Sequence, residues 1–301
     1  MIPESQDSTQ RVLRWVVLSV QAPPPSEAIQ LAEALRRLGA RALDRRQGQV
    51  LAWIPDPPSP EELLRQAELA VRTHTSLTGV RVRWRWCSPA EMEREWRGAG
   101  GPIRTGARTL IALSDQEGDA PPDGILVRLR PGPAFGDGSH PTTRSSAAML
   151  ERLVKTGDRI ADVGSGSGVL AIASALLGAG RVLAFESDEV AAAVARENIR
   201  LNQVQDRVQL HHLEVGAGDL AAMGPFQGIV ANLEPGILLP LAKGFTPALA
   251  DDGGWLVVSG VPRGERAAAR HVLEEQGLGL LADELQEGWW TGVFRPLVNA
   301  P

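Results

Sequence analysis

Apolar residues follow one rhythm up to about residue 87 and a more regular one beyond residue 126. From 126 onward, short apolar runs alternate with stretches whose apolar positions recur at helical spacing. The runs predict strands near 159–163, 181–186, 207–212, 227–232 and 254–259. The spacing between them predicts helices near 168–178, 188–200, 237–250 and 263–276. Two last strands, near 279–285 and 289–295, are joined only by Gln286-Glu287-Gly288. That link is too short for a parallel crossover and suits a hairpin. The pattern predicts an α/β fold, a seven-stranded, doubly wound Rossmann-like sheet with an antiparallel final hairpin.

Residues 11–87 read strand, helix, strand, helix, strand. Leu13–Val20 alternates loosely and ends at Pro23-Pro24-Pro25. Glu27–Leu38 carries Ile29, Leu31, Leu35 and Leu38 at helical spacing and stops at Gly39. Gln49–Ile54 is closed by Pro55, Pro57 and Pro58, and Pro60–His74 follows as a helix capped by Ser59. Val80–Trp86 sets Val82, Trp84 and Trp86 against Arg81, Arg83 and Arg85, a period-two strand with an aromatic and a basic face. A small ferredoxin-like α+β domain is expected. It holds no catalytic constellation, which leaves substrate recognition as its default role. The basic face reads more readily as a solvated sheet surface than as a contact. Residues 1–10 are expected to be a disordered tail, 88–125 a linker or hinge with one helix over Pro89–Trp96, and 126–301 the catalytic domain.

The 301 residues suffice for about two domains, and 43% hydrophobic and 22% charged content is ordinary for a core-forming protein. A net charge of −5 gives no footprint for sequence-independent nucleic-acid binding and is mildly compatible with a basic protein partner. Cys87 is the only cysteine, which rules out an internal disulfide and a thiolate cluster. His74, His140, His211, His212 and His271 show no ligand spacing, so no metal site is expected. The His211-His212 pair is expected to face solvent or a sheet edge. The apolar run Trp15–Val20 is too short for a signal peptide, and no stretch approaches the roughly 20 apolar residues of a membrane span. A cytoplasmic protein is expected.

The chemistry gathers at three predicted strand ends. Ile160-Ala-Asp162-Val-Gly164-Ser-Gly166-Ser-Gly168 leads a strand into a glycine-rich turn, and Glu186 closes the next strand. Such glycines let the backbone turn sharply and approach a ligand, and a strand-end acid can take both hydroxyls of a ribose. Loops of this kind also serve dinucleotides, and Asp162 decides between them. A carboxylate there would repel a pyrophosphate but suits the ammonium of S-adenosylmethionine. Asn232, in Asn232-Leu-Glu234-Pro, ends a further strand. Its amide can orient a substrate amine, or it can simply cap the helix starting near Pro235. Arg130–Thr143 precedes the first of these strands and concentrates Phe135, Gly136, Gly138, His140, Thr142 and Thr143. It is expected to fold over the cofactor and present Thr143, with Thr142 and Thr143 as caps of a helix through Leu153.

Phe135-Gly-Asp-Gly-Ser-His-Pro-Thr-Thr143, Asp162-Val-Gly-Ser-Gly-Ser-Gly-Val-Leu-Ala-Ile-Ala173 and Val230-Ala-Asn-Leu233 together resemble the bacterial PrmA family. This family methylates large-subunit ribosomal protein eleven. The resemblance implies a class I methyltransferase fold, S-adenosylmethionine as cofactor and lysine ε-amines as acceptors, with an α-amine as a further one. It also implies cofactor contacts from Thr143, Gly164, Glu186 and Asn232. Three departures stand out. Gly136-Asp-Gly-Ser-His140 replaces Gly-Thr-Gly-Thr-His, Glu186 replaces the usual Asp, and Leu233-Glu-Pro-Gly replaces Ile-Leu-Ala-Gly. Asp137 and Glu234 thus alter the mouth of the acceptor pocket. Asn232 and Glu234 are the expected catalytic pair, orienting the amine or receiving its proton. A methyltransferase of changed acceptor and a non-catalytic cofactor-binding protein are the rival readings.

Overall fold

The computed structural model describes residues 14–297, apart from 41, 47, 56, 80, 89–90, 92–100, 115 and 133. The expected tail over 1–10 lies outside these residues, as does all but Glu91 of the helix expected over Pro89–Trp96. The chain forms two units, Met1–Gly98 and Ala99–Pro301.

The first unit runs β1 (Trp15–Gln21), α1 (Pro25–Arg37), β2 (Ala42–Arg46), β3 (Gln49–Pro55), α2 (Pro60–His74) and β4 (Arg83–Cys87). Its sheet has the order β2-β3-β1-β4 with antiparallel neighbours throughout. The sequence pattern gives three of these strands and misses β2, whose Ala-Leu-Asp-Arg-Arg shows no apolar alternation. As an edge strand, β2 needs none. Alternation in β1 sends Val16, Leu18 and Val20 to a core shared with Leu31, Leu35, Leu63, Ala67 and Val71. The intervening Trp15 and Val17 join Trp53 and Cys87 in a separate buried cluster. Arg81, Arg83 and Arg85 are exposed, as their alternation suggested. Ser59 caps α2, its hydroxyl accepting from Glu62 N at 3.2 Å.

The second unit opens with β5 (Ile103–Arg104), β6 (Thr109–Leu113) and β7 (Ile125–Leu129), a three-stranded sheet in which β6 and β7 are parallel. Residues 103–125, assigned above to a connection, thus carry strands of this unit. Ile111, Ile125, Val127 and Leu129 are buried in one core with Ala147, Leu150, Val169 and Ile172. There follow α3 (Pro141–Leu153), β8 (Arg159–Val163), α4 (Val169–Leu176), β9 (Arg181–Glu186), α5 (Glu189–Leu201), β10 (Val208–His212), α6 (Ala217–Met223) and β11 (Gly228–Asn232). The chain ends with α7 (Pro235–Ala248), β12 (Trp255–Pro262), α8 (Arg266–Glu275), β13 (Leu278–Gln286) and β14 (Trp289–Pro296).

Strands β8 to β14 form one seven-stranded sheet, β10-β9-β8-β11-β12-β14-β13. It is parallel except for β14, which is antiparallel to both β12 and β13. Both faces are covered. Ile160, Val182, Val208, Val230 and Val257 point into one core, and Ala161, Leu183, Ile229, Leu256 and Val258 into the other. Two-sided burial explains why these strands read as unbroken apolar runs. Strand order reverses at β8, between β9 and β11, and a ligand crevice lies beyond the carboxyl ends at such a switch point. Among the described residues no helix is long and apolar enough to cross a membrane.

Helices α6 and α7 approach closely. A Cβ on Gly244 would stand 2.4 Å from Ala217 O, whereas one on exposed Gly218 would meet nothing within 4 Å. Helical Gly→Ala ordinarily stabilises by up to about 1 kcal/mol. Gly218→Ala is expected to follow that sign. Gly244→Ala should reverse it and cost about 1–3 kcal/mol through overpacking. Urea unfolding of the two variants checks both signs.

Candidate active site

The turn after β8 is built without room for side chains. Gly164 N and Ser165 N both donate to Phe185 O at 2.9 Å, which ties the turn to the end of β9. Gly166 has φ +55°, and a Cβ there would lie 2.5 Å from Phe135 O. Ser167 N donates to that same Phe135 O at 2.8 Å, and Ser167 Oγ to Gly136 O at 2.7 Å. The glycine turn and the Phe135 loop, predicted separately, are thus one hydrogen-bonded body. Gly168 sits at φ +82° before α4.

Asp162 is 1% exposed, and its Oδ2 accepts from Ala171 N, in the first turn of α4, at 3.0 Å. Burial raises its pKa to about 7, helped by the charge of Glu186 and opposed by hydrogen bonds from Ser165 and Ala171 N. Glu186, half-buried at the end of β9, accepts from Gly166 N through Oε2 at 2.7 Å and from Asp188 N through Oε1 at 2.9 Å. Each of its oxygens keeps a second lone pair for a ligand hydroxyl.

The loop entering α3 differs from expectation at its cap. His140, not Thr142 or Thr143, is the N-cap, its Nδ1 accepting from Thr142 N at 3.3 Å and lying 2.7 Å from Thr142 Oγ1. With Pro141 as the first helical residue, both threonines fall inside the first turn. Thr143 is fully buried, and its Oγ1 has no hydrogen-bond partner among the described residues. Ser146 Oγ, a turn further on, is in the same state. A buried hydroxyl without a partner is costly, and a ligand atom beside Thr143 would relieve that cost.

At the end of β11, Asn232 pairs in register with Ser259 of β12 and is half-buried. The capping alternative for Asn232 does not hold. Glu234 occupies the N-cap of α7 and makes no side-chain cap bond, while the Asn232 amide forms no hydrogen bond among the described residues. Glu234 is exposed. Leu233 lies under the glycine turn, so close that a Cβ on Gly164 would stand 2.3 Å from its Cδ2.

Phe135 (40% exposed) and half-buried His140 stand edge-on with ring centroids 5.2 Å apart. Trp289, opening β14, lies 4.8 Å from His140 on the other side. Sequence reading missed Trp289. Its only signal was a Trp-Trp pair right after the hairpin turn, one ring bound for the core and one left over. Asp137 Oδ1 accepts from Ser139 N at 2.9 Å, so this departure from the family pattern shapes the loop itself. His211 and His212 end β10, the edge strand of the sheet, as expected, and His212 is exposed, while His211 also stacks on Phe185 with centroids 5.4 Å apart. Aromatic Phe185 offers a better surface than water for one face of the ring. Among the described residues no group of three or more His, Cys, Asp and Glu could hold a metal.

Asp162 sets a pH dependence. Its folded pKa of about 7 lies above the usual 3.8, so the fold prefers the neutral acid. Its contribution to stability is fully present below about pH 4 and is lost as pH rises through about 7. Relative to Asp162→Asn, the free protein should lose on the order of 2–4 kcal/mol across that window. Denaturant unfolding at a series of pH values checks this, and parallel curves for the two proteins would contradict it.

The fold and cradle agree with what the chain is similar to. The family model for ribosomal protein L11 methyltransferase (PrmA) matches residues 26–295. A ribosomal protein L11 methyltransferase of Chloroflexus aurantiacus is 34% identical over 265 residues, 81% of this chain and 80% of that protein. One of Desulforamulus reducens is 33% identical over 257 residues, covering 82% and 79%. The crystal structure of a ribosomal protein L11 methylase from Lactobacillus delbrueckii subsp. bulgaricus superposes with a TM-score of 0.58 at 29% identity, over 65% of this chain and 99% of that one. With the match running through both units and across every strand end described above, the chain belongs to the PrmA family of ribosomal protein L11 methyltransferases.

Proposed function

We propose that the protein transfers methyl groups from S-adenosylmethionine to lysine ε-amines of ribosomal protein L11, its N-terminal α-amine being a further acceptor. The observation that carries this reading is the uncommitted amide of Asn232 at the end of β11. It stands one strand away from a glycine turn held by Glu186, and the helix that follows the Phe135 loop adds the Thr143 hydroxyl, buried and without a partner among the described residues. The L11 substrate rests on the names of the relatives, and the cytoplasm as location follows from that substrate.

When bound, S-adenosylmethionine supplies a methyl group on a sulfonium, an electrophile that needs no acid to leave. The free lone pairs of Glu186 would hold the ribose hydroxyls, and Gly164 and Gly166 would let the ligand lie against the backbone. Gly136 lets the Phe135 loop lie against Ser167, while Gly168 packs on Ala195 and Gly138 on Ile111. The Thr143 hydroxyl would complete the cradle. Asp162, buried beneath the turn, favours a cationic ammonium, because a nearby positive charge stabilises its ionised form.

A lysine amine is almost wholly protonated at neutrality, with a pKa of about 10.4. Desolvation in the pocket lowers that value. Asn232 would accept a hydrogen bond from the amine through Oδ1 and aim its lone pair. Exposed Glu234, on the rim, can take the released proton toward solvent. Phe135, His140 and Trp289 would flank the aliphatic stem and exclude water. The first unit would hold the protein substrate. Glu234-Pro235, where relatives of this family usually have Leu-Ala, favours one second reading, the same reaction on a changed acceptor.

Radiolabelled S-adenosylmethionine offered with purified L11, followed by mass mapping, should place methyl groups on several lysines. Label that stays off L11 while calorimetry records cofactor binding would point to the changed acceptor. Asn232→Ala is expected to lower kcat by about a hundredfold or more while cofactor affinity stays within about threefold. Unchanged turnover in that variant would remove Asn232 from the acceptor side.

A further inference from the structure

Helix α5 presents two asparagines one turn apart to the free edge of β7, where they stand in for a neighbouring strand. Asn202 does so symmetrically. Its Oδ1 accepts from Arg128 N at 2.8 Å, and its Nδ2 donates to Arg128 O at 2.6 Å. Asn198, fully buried, divides its amide instead. Its Oδ1 accepts from Arg130 N at 2.8 Å, but its Nδ2 donates to Ser167 O, in the glycine turn, at 2.8 Å. Only one orientation of the amide satisfies both partners.

Ser167 hands the connection on. Its N–H and hydroxyl hold the carbonyls of Phe135 and Gly136 at 2.8 and 2.7 Å. The segment from Arg130 to Gly136 is therefore clasped at its start by Asn198 and at its end by Ser167, and Asn198 joins the two clasps. That segment carries Phe135 and leads straight to His140 and Thr143. An apolar residue at 198 could fill the space, but it would leave Arg130 N and Ser167 O unpaired in the interior.

We infer that Asn198 is a positioning residue for methyl transfer: by joining Arg130 N to Ser167 O it holds the Phe135 loop closed on the glycine turn and thereby sets cofactor affinity. This rests on the reading of the turn as an S-adenosylmethionine site. Asn202 supplies the internal control, because its bonds secure the same strand and never reach the turn.

The test compares full-length wild type, Asn198→Asp, Asn198→Ala and Asn202→Ala. Calorimetric titration with S-adenosylmethionine, steady-state kinetics and thermal unfolding are measured for each. Asn198→Asp keeps size and the acceptor for Arg130 N but loses the donor to Ser167 O once ionised, so its affinity is read from about pH 6 to about pH 9, because a protonated carboxyl would still donate. Asn198→Asp should bind the cofactor about tenfold more weakly, as loss of one buried hydrogen bond implies, and Asn198→Ala, which loses both bonds, more weakly still. Their KM for it should rise in step, while kcat at saturation stays within about threefold of wild type. Asn202→Ala should lower the melting temperature and leave affinity within about twofold.

Wild-type affinity in Asn198→Asp would overturn the inference. So would losses of affinity that merely track melting temperature across all three variants, because Asn198 would then serve the fold alone. A wild-type protein that binds no S-adenosylmethionine would instead overturn the cofactor reading on which the inference rests. If Asn198→Ala does not fold, the near-isosteric Asn198→Asp still decides.

Discussion

No side chain fits at Gly164 or Gly166 in the β8–α4 turn, because the segments packed on it come too close, and the rest of the catalytic unit is arranged around that constraint. Gly166 meets the backbone of Phe135 on one side, and Gly164 meets the side chain of Leu233 on the other. The closeness passes on to β12, because a Cβ on Gly260 would lie 2.4 Å from Leu233 O. Three segments distant in sequence therefore meet almost backbone to backbone. In such a junction, the groups free to face a ligand are peptide N–H and C=O groups and the few polar side chains at the rim. Glu186 and Asn232 sit at that rim because each ends a strand whose other residues are largely committed to two cores, whereas Asp162, one residue before the end of β8, is buried beneath it.

The arrangement places Asp162 in a dry setting. Helix α4 begins beside Asp162, and its N-terminal N–H groups favour negative charge there. Desolvation nevertheless outweighs them, because the carboxyl is shielded from water on nearly every side. Glu186, by contrast, is half-buried and accepts two backbone N–H groups. Asp162 is held close to its switching point, and a buried carboxyl shifted this far is a common mark of a working site.

The sheet was legible in the sequence because two-sided burial forces an apolar run at every parallel strand, and the final hairpin because three residues cannot make a crossover. β2 was not, since an edge strand can be as charged as Ala42–Arg46. β6 and β7 were hidden by their surroundings, short apolar runs embedded in Gly, Pro and Asp that resemble a linker. At the site, the strand-end residues could be named in advance because their position follows from the fold class. The caps could not. Thr142 and Thr143 have better intrinsic capping chemistry than His140, yet Pro141 fixes the helix start one residue too early for them. The link between Asn198 and Ser167 gave no local signal, and Trp289 only that of a Trp-Trp pair, since their partners lie far along the chain. No periodicity records a hydrogen bond between residues 31 apart, such as Asn198 and Ser167.

That distance has a consequence for how the site holds its shape. The first turn of α3 is bound to the β13–β14 hairpin by an Arg144–Glu287 ion pair and by Ser145 Oγ donating to Gln286 Oε1 at 3.0 Å. Beneath them, Ser259 Oγ and Thr291 Oγ1 lie 2.7 Å apart in the buried interior. Arg144 is 19% exposed, so its ion pair is screened less than most surface pairs. The Phe135–His140–Trp289 row exists only where these two segments, separated by most of the catalytic unit, are held together. The row cannot assemble from the Phe135 loop alone. It requires the last strand of the sheet to be in place, which makes the mouth of the site a product of the finished fold and not of any one motif.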